Sequence, residues 1–241
     1  MHEASLHEAS CFVTLTYDDA HAPVSLDYSH FQLFMKSLRP RLGPLRFRYF
    51  VCGEYGGELG RPHFHAGIFG TAFRVDRYPW RKAKSGHQVY RSPLLEEVWD
   101  RGLSEVGELT QESAGYMARY VLKKMTGPVA SEHYVDRETG EVLLPEFCHM
   151  SLRPGIGAQW FRRFQADVFP HDRVIVKGVK TRVPRYYDQL LARDAPDLME
   201  AAREARRIVS QEKGGAENTV ERLAVREQVL KARLSNLKRK L

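Results

Sequence analysis

Arg61–Gly70 reads RPHFHAGIFG, and two histidines in it, His63 and His65, flank a single apolar residue, Phe64. In an extended strand successive side chains point to opposite faces, so both imidazoles share one face and Phe64 takes the other. Two neutral imidazoles on one face are a ready pair of metal ligands. Upstream, Arg46–Glu54 (RFRYFVCGE) has the aromatic and β-branched content of a strand. Between them, Tyr55–Pro62 carries three glycines and a proline, which predicts a turn and an antiparallel hairpin. Alternation places Phe50, Cys52 and Glu54 on one face, and the hairpin can bring Glu54 beside the histidines. Two imidazoles and a carboxylate make a three-ligand site with open positions, suited to a divalent ion acting as Lewis acid on a phosphate. Glu58, in the loop, is the rival third ligand. The plainer alternative is a pair of ordinary strand histidines.

The surrounding chain sets the class of partner. Its 241 residues are enough for one substantial domain plus extra helix. The 37 Lys and Arg against 30 Asp and Glu, with a pI near 9.3, point to a polyanion such as nucleic acid or an anionic surface. No apolar run is long enough to span a bilayer, and no basic region followed by an apolar stretch marks a signal peptide. Cys11, Cys52 and Cys148 lie far apart and form no CxxC, so a zinc knuckle or disulfide framework is not expected and the natural setting is a reducing cytoplasm.

Along the chain, HEAS occurs twice, at His2–Ser5 and His7–Ser10, without a function attached to it. Cys11–Tyr17 (CFVTLTY) reads as a strand with Phe12, Thr14 and Thr16 on one face and Val13, Leu15 and Tyr17 on the other. Leu26–Leu38 reads as a helix with Phe31, Phe34, Met35, Leu38 and Leu42 in one stripe and Pro40 as its stop. Arg74–Arg91 is basic and aromatic and reads as a loop. Ser92-Pro93 opens a short helix, Leu103–Leu109 is a short strand, and Thr110–Met125 is a helix stopped by Gly127-Pro128. Further on, Tyr134–Asp136 with Glu141–Leu144 suggests a hairpin, Phe147–Leu152 a strand, and Trp160–Val168 an amphipathic helix. Arg173–Val176 and Val179–Val183 read as strands, Pro184 opens a helix, and from Pro196 the chain is helical and charged. Leu223, Leu230 and Leu237 are seven apart, too few heptads for a coiled coil.

A second chemical constellation lies at Gly115–Met125, GYMARYVLKKM. Tyr116 and Tyr120 are four residues apart, on one helix face, with Lys124 continuing it and Lys123 beside it. Two tyrosines on a helix can simply be core contacts. With a metal site nearby, a phenol can instead serve as covalent nucleophile on a phosphodiester, forming a phosphotyrosine and releasing an alcohol. A free phenol ionises near pH 10, so a metal ion and a lysine would assist it, the lysine by balancing charge on the phosphoryl oxygens.

FVTLTY (Phe12–Tyr17), RPHFH (Arg61–His65) and YMARYVLKK (Tyr116–Lys124), in that order, resemble the three motifs of HUH endonucleases that start rolling-circle replication. CGEYGGELGRPHFH, SLRPGIGAQWF (Ser151–Phe161) and PRYYDQLL (Pro184–Leu191) look more closely like the replication initiators of gokushoviruses, small single-stranded DNA phages of the Microviridae. The resemblance runs from about residue 2 to 191. It implies an α+β fold with a central five-stranded antiparallel sheet and helices packed on it, of the HUH endonuclease and RRM-like type, followed by C-terminal helices. It implies Mg²⁺ or Mn²⁺ held by His63, His65 and Glu54, with Tyr116 and Tyr120 as nucleophiles and Lys124 or Lys123 assisting. It also implies a single-stranded DNA origin as substrate, a 5′-phosphotyrosine intermediate, host helicase and polymerase as partners, and the host cell cytoplasm as location. Relatives of this kind often begin upstream with a cysteine-containing segment, whose loss would bear on origin recognition more than on cleavage.

The expected organisation is an endonuclease domain over 1–191 and a charged helical tail over 192–241. The candidate DNA contacts are Thr14, Thr16, Arg61, Arg74, Arg77, Trp80, Arg81, Lys82 and Arg153. In the basic loop, aromatics would stack on bases while cations track phosphates. Each has a plain alternative: β-propensity for the threonines, a solvated loop for 74–91, and a turn for Arg153. Glu221–Leu241 carries seven Lys and Arg against two Asp and Glu, suited either to DNA or to water. His87, His133, His149 and His171 have no usable partner spacing and read as ordinary. The rivals to a nickase are a plasmid mobilisation relaxase, a non-catalytic single-stranded DNA-binding module, and a metallohydrolase whose tyrosines are core.

Overall fold

The computed structural model describes residues 1–56, 60–120, 124–125, 127–128, 130–136, 139–214 and 218–235, with backbone alone at 120, 131, 213, 214 and 234. Glu58 and Lys123 lie outside the described residues, as does the Tyr120 side chain. The described elements are β1 (Ser10–Tyr17), α1 (Tyr28–Arg41), β2 (Arg48–Tyr55), β3 (Pro62–Phe69), β4 (Tyr78–Lys82), β5 (Gln88–Arg91), α2 (Pro93–Val98), β6 (Gly102–Glu108) and α3 (Gln111–Tyr120). After these come α4 (Ala130–His133), β7 (Phe147–Met150), α5 (Ala158–Val168), β8 (Val174–Val176), β9 (Val179–Thr181), α6 (Arg185–Asp194), α7 (Pro196–Gly214) and α8 (Val220–Ser235). Among the described residues, no helix is long and apolar enough to cross a membrane. Chain packing divides into two compact units, one ending at Ile156 and one beginning at Gly157, ahead of the sequence boundary at 191.

In the first unit the fold is α+β, with an antiparallel sheet ordered β4-β5-β6-β1-β3-β2-β7. Its β6-β1-β3-β2-β7 part is the expected five-stranded sheet, and the HFH strand β3 lies inside it, paired with β1 and β2. One face is apolar: Val13, Leu15 and Tyr17 of β1, Phe64, Ala66 and Ile68 of β3, and Val106 of β6. Phe31, Phe34, Met35 and Leu38 of α1 and Leu95 and Val98 of α2 cover it. Asp27 caps α1 by accepting from the Ser29 N–H at 2.8 Å. Pro40 sits in the last turn of α1 and does not end it before Arg41. Ser92 caps α2, its Oγ accepting from the Leu95 N–H at 3.2 Å.

The segment read as a basic loop, 74–91, is instead largely the β4–β5 hairpin, which lengthens the sheet to seven strands. Its β4 side chains are all exposed, so no hydrophobic alternation marks it as a strand. Main-chain pairing and side-chain clasps hold it: Arg77 over the Tyr90 ring at 4.2 Å, Arg91 over Trp80 at 5.0 Å, and Arg81 paired with Glu105 of β6. The HEAS segment is an anchor: Glu3, 1% exposed, pairs with Arg48 of β2 at 3.1 Å and His7 at 3.2 Å. The helix expected to Met125 is described only to Tyr120, and Lys124 and Met125 are outside helix. Lys124 is therefore not a further turn of the tyrosine face.

In the second unit, Ala158, Phe161 and Val168 of α5, Tyr187, Leu190 and Leu191 of α6, and Met199 of α7 form a separate apolar cluster. Arg206 of α7 is hydrogen-bonded to both Asp172 and Asp188. Among the described side chains of α8, all are exposed.

Candidate active site

On the sheet face opposite α1, the strand register sets the site. His65 pairs with Thr14 of β1 on one side and Cys52 of β2 on the other. His63 pairs with Thr16 and Glu54. Side chains two apart on a strand share a face, so Glu54, His63 and His65 converge, as the alternation in the sequence predicts. Nε2 of His63 lies 2.8 Å and Nε2 of His65 3.1 Å from the same Glu54 oxygen, Oε1. All three ligand atoms lie within 4.8 Å of one another.

The remaining ring nitrogens are tethered. Nδ1 of His63 is 3.0 Å from the Arg61 carbonyl oxygen, and Nδ1 of His65 is 3.0 Å from Thr14 Oγ1. A carbonyl only accepts, so His63 Nδ1 must carry the proton. A neutral ring has one N–H, so its Nε2 then presents a lone pair to an ionised Glu54. Two lone pairs at 2.8 Å require a cation between them, a proton or a metal ion. Glu54 is 3% exposed, and a buried carboxylate needs such a partner. Ring nitrogens bound through Nε2 and held by outer hydrogen bonds at Nδ1 form a usual metal-ligand arrangement. The donor set fits a divalent ion.

Beside the ligands, Cys52 is buried and hydrogen-bonded to Cys148, which together hold its thiol well above the usual range and keep it protonated. A neutral thiol is a poor metal ligand, so the cysteines stay outside the donor set.

Helix α3 lies over this face. Gly67, two residues after His65, permits the approach: a Cβ there would meet Met117 Cε at 3.1 Å. The Tyr116 ring packs edge-on against His65, 5.2 Å between centroids, and against Phe12 at 6.3 Å. Arg119 sits 5.8 Å over the Tyr116 ring, a cation beside the phenol that its sequence position at i+3 marks. The structure thus brings together Glu54, His63, His65, Thr14 and Tyr116. The backbone of Tyr120 is one helical turn on, and Lys124 is exposed.

The candidate DNA contacts divide differently. Thr16 is half-buried on the site face opposite His63. Arg61 donates to the Tyr17 carbonyl at 3.1 Å and pairs with Asp19. Arg77 pairs with Glu108 at 2.8 Å, and Arg81 with Glu105 at 2.7 Å. These arginines brace the sheet. Arg74, Lys82 and Arg153 are exposed, and Trp80 is 54% exposed on β4, so they remain on the surface. His87, read as ordinary, lines a pocket with His65 and Tyr116. Only the hairpin fold could reveal that, because its sequence neighbours carry no ligand spacing.

Residues 10–125 match the model of a family described as replication-associated protein ORF2. The chain is 31% identical over 208 residues to replication-associated protein VP4 of Bdellovibrio phage phiMH2K, covering 81% of this chain and 62% of that protein. It is 33% identical over 203 residues to replication-associated protein ORF2 of Spiroplasma virus 4, covering 77% and 59%. Against replication-associated protein ORF4 of Chlamydia phage 1 it is 29% identical over 196 residues, covering 78% and 47%. The chain thus spans about half to three fifths of the length of these curated relatives. No solved structure matches.

Proposed function

We propose that this chain, whose segment 10–125 belongs to the replication-associated protein ORF2 family, starts rolling-circle DNA replication by nicking and rejoining single-stranded DNA through a covalent phosphotyrosine. The observation that carries this reading is the convergence of Glu54, His63 and His65 with the Tyr116 ring on one sheet face. Glu54, His63 and His65 are the residues that would hold a divalent ion, Mg²⁺ or Mn²⁺. What the ion supplies there is Lewis acidity on the scissile phosphate.

In this reading Tyr116 Oη attacks phosphorus and gives up its proton. The Oη–P bond forms as the P–O3′ bond breaks, and the 3′-oxygen takes a proton and leaves as a hydroxyl. The DNA 5′ end stays joined to the tyrosine, and the free 3′-hydroxyl primes a host polymerase. Tyr120, one turn along α3, is the second nucleophile, attacking after a round of synthesis so that cleavage and joining alternate. Arg119, with Lys124 and Lys123, balances negative charge on the phosphoryl oxygens. Thr14 and the Arg61 carbonyl hold the two imidazoles with Nε2 facing inward. Exposed Trp80, Arg74 and Lys82 suit the strand leading to the site, with Thr16 and Arg153 as further contacts. A host helicase would open the duplex ahead.

Incubation with labelled circular single-stranded DNA and Mn²⁺, followed by a denaturing gel, tests the reading. A DNA–protein adduct that survives denaturation and disappears with chelator is the expected result. Tyr116→Phe or Tyr120→Phe should each keep some cleavage, and the double variant none. Metal-dependent cleavage of the origin with no adduct would make the protein a hydrolase with core tyrosines and defeat the proposal.

A further inference from the structure

The β4–β5 hairpin, which lengthens the five-stranded sheet, also builds a pocket. A cavity of about 160 Å³ opens beside the candidate site. His65 and Tyr116 line one part of it, together with Phe12 and Thr14 of β1. Arg81, His87 and Gln88 of the hairpin line another, with Glu105 and Gly107 of β6. Cavities of about 150 Å³ hold one benzene-sized ring, so this one suits a single flat ring system and not a stack of them.

Its walls carry two kinds of chemistry. Phe12 is an aromatic surface, itself stacked on His65 at 5.4 Å and 17°. The hairpin wall is polar and organised. Arg81 donates from Nε and from a terminal nitrogen to the two oxygens of Glu105, each at 2.7 Å. This fixes the carboxylate and leaves a lone pair on each oxygen. Gln88 spends both amide hydrogens on the Arg81 and Val89 carbonyls, at 3.0 and 2.9 Å, so its side-chain oxygen is the part left to accept. The pocket therefore presents acceptors held in place. At Gly107 a Cβ would lie 3.7 Å from the Phe12 ring, ordinary contact, so the missing side chain is space and not a packing requirement.

We propose that this pocket takes one nucleobase of the single-stranded DNA substrate, next to the phosphate that is cut, and prefers a base with an exocyclic amine over thymine. The proposal rests on the nickase reading above for its substrate. The ring stacks against Phe12, and the amine donates to Glu105 or Gln88, as amino groups of cytosine and adenine donate to Glu and Gln side chains elsewhere. Thymine has no amine to offer and would leave these acceptors unpaired. The hairpin is then the element that makes cleavage selective for sequence.

Anisotropy titrations with short oligodeoxycytidine and oligodeoxythymidine, without divalent metal so that no nicking takes place, test it. The intact protein should bind oligodeoxycytidine about tenfold more tightly, the lower end of what one good base contact provides. Gly107→Leu, which fills the pocket, and Gln88→Ala, on the hairpin, should each bring the two affinities close together. Thermal unfolding and Mn²⁺ titration of both variants should stay near the parent, which separates a filled pocket from a lost fold. Equal binding of the two oligonucleotides by the parent, or a preference untouched in both variants, overturns the proposal. Discrimination without any covalent adduct in the gel assay would keep the pocket and remove the nickase. An adduct with no discrimination would do the reverse.

Discussion

Thr14 is 3.0 Å from Nδ1 of His65, and that contact separates the roles its residue type allows: strand former, phosphate contact, or brace for a ligand. Outer hydrogen bonds to metal-bound histidines are typically worth ten- to hundredfold in affinity. Thr14→Val keeps the shape and removes the hydroxyl, so Mn²⁺ affinity should fall about tenfold in calorimetric titration. Thr14→Ser should restore it. Unchanged affinity in Thr14→Val would return this residue to its plain role as a strand former. At this scale the sequence was legible where alternation applies: His63, His65 and Glu54 share a face because every second side chain does. It was not legible for Arg61, Arg77 and Arg81. Their residue type suits phosphate equally well, and their acidic partners Asp19, Glu108 and Glu105 lie far away in sequence.

Helix α3 reaches the ligands because β3 has no side chain at Gly67. A Cβ there would stand 3.1 Å from Met117 Cε and 3.4 Å from Leu109 Cδ1, and the branches of valine would extend further. Gly67→Val should therefore push α3 off the sheet, costing about 1–3 kcal/mol in urea unfolding. It should also slow adduct formation well beyond that loss of stability, since the Tyr116–His65 contact is made through α3. Gly67→Ala should be milder, because a flexible methionine can yield. Adduct formation at the parental rate in Gly67→Val would show that this approach does not matter. Among elements, helices with an apolar stripe such as α1 were readable from their period. The β4–β5 hairpin was not, since all of β4 is exposed and no face of it repeats.

Across the whole molecule, two compact units meet the chain's two kinds of patterning. The first carries the sheet and candidate site, and the second packs α5, α6 and α7 around Phe161, Tyr187 and Leu191. In the second, Arg206 is 35% exposed and holds Asp172 and Asp188 together. Arg206→Met would leave two carboxylates facing each other, and thermal unfolding with hydrogen exchange across α6 and α7 should show a loss of about 1–2 kcal/mol, modest because water screens the cluster. No change would mark the cluster as incidental. The charge shift near Pro196 suggested a boundary at 191, whereas packing divides at Ile156. The reason is that α6 buries Tyr187, Leu190 and Leu191 against α5 and not against the sheet. By itself the sequence determined the faces of its strands, the stripe of α1, the tyrosine spacing and the order of the motifs, because these follow from local backbone geometry and side-chain chemistry. The tertiary structure decided which charges are taken up internally, that a hairpin extends the sheet beside the site, and that Tyr116 lies against His65. Those depend on strand register and on distant segments closing onto one another, which no local period records.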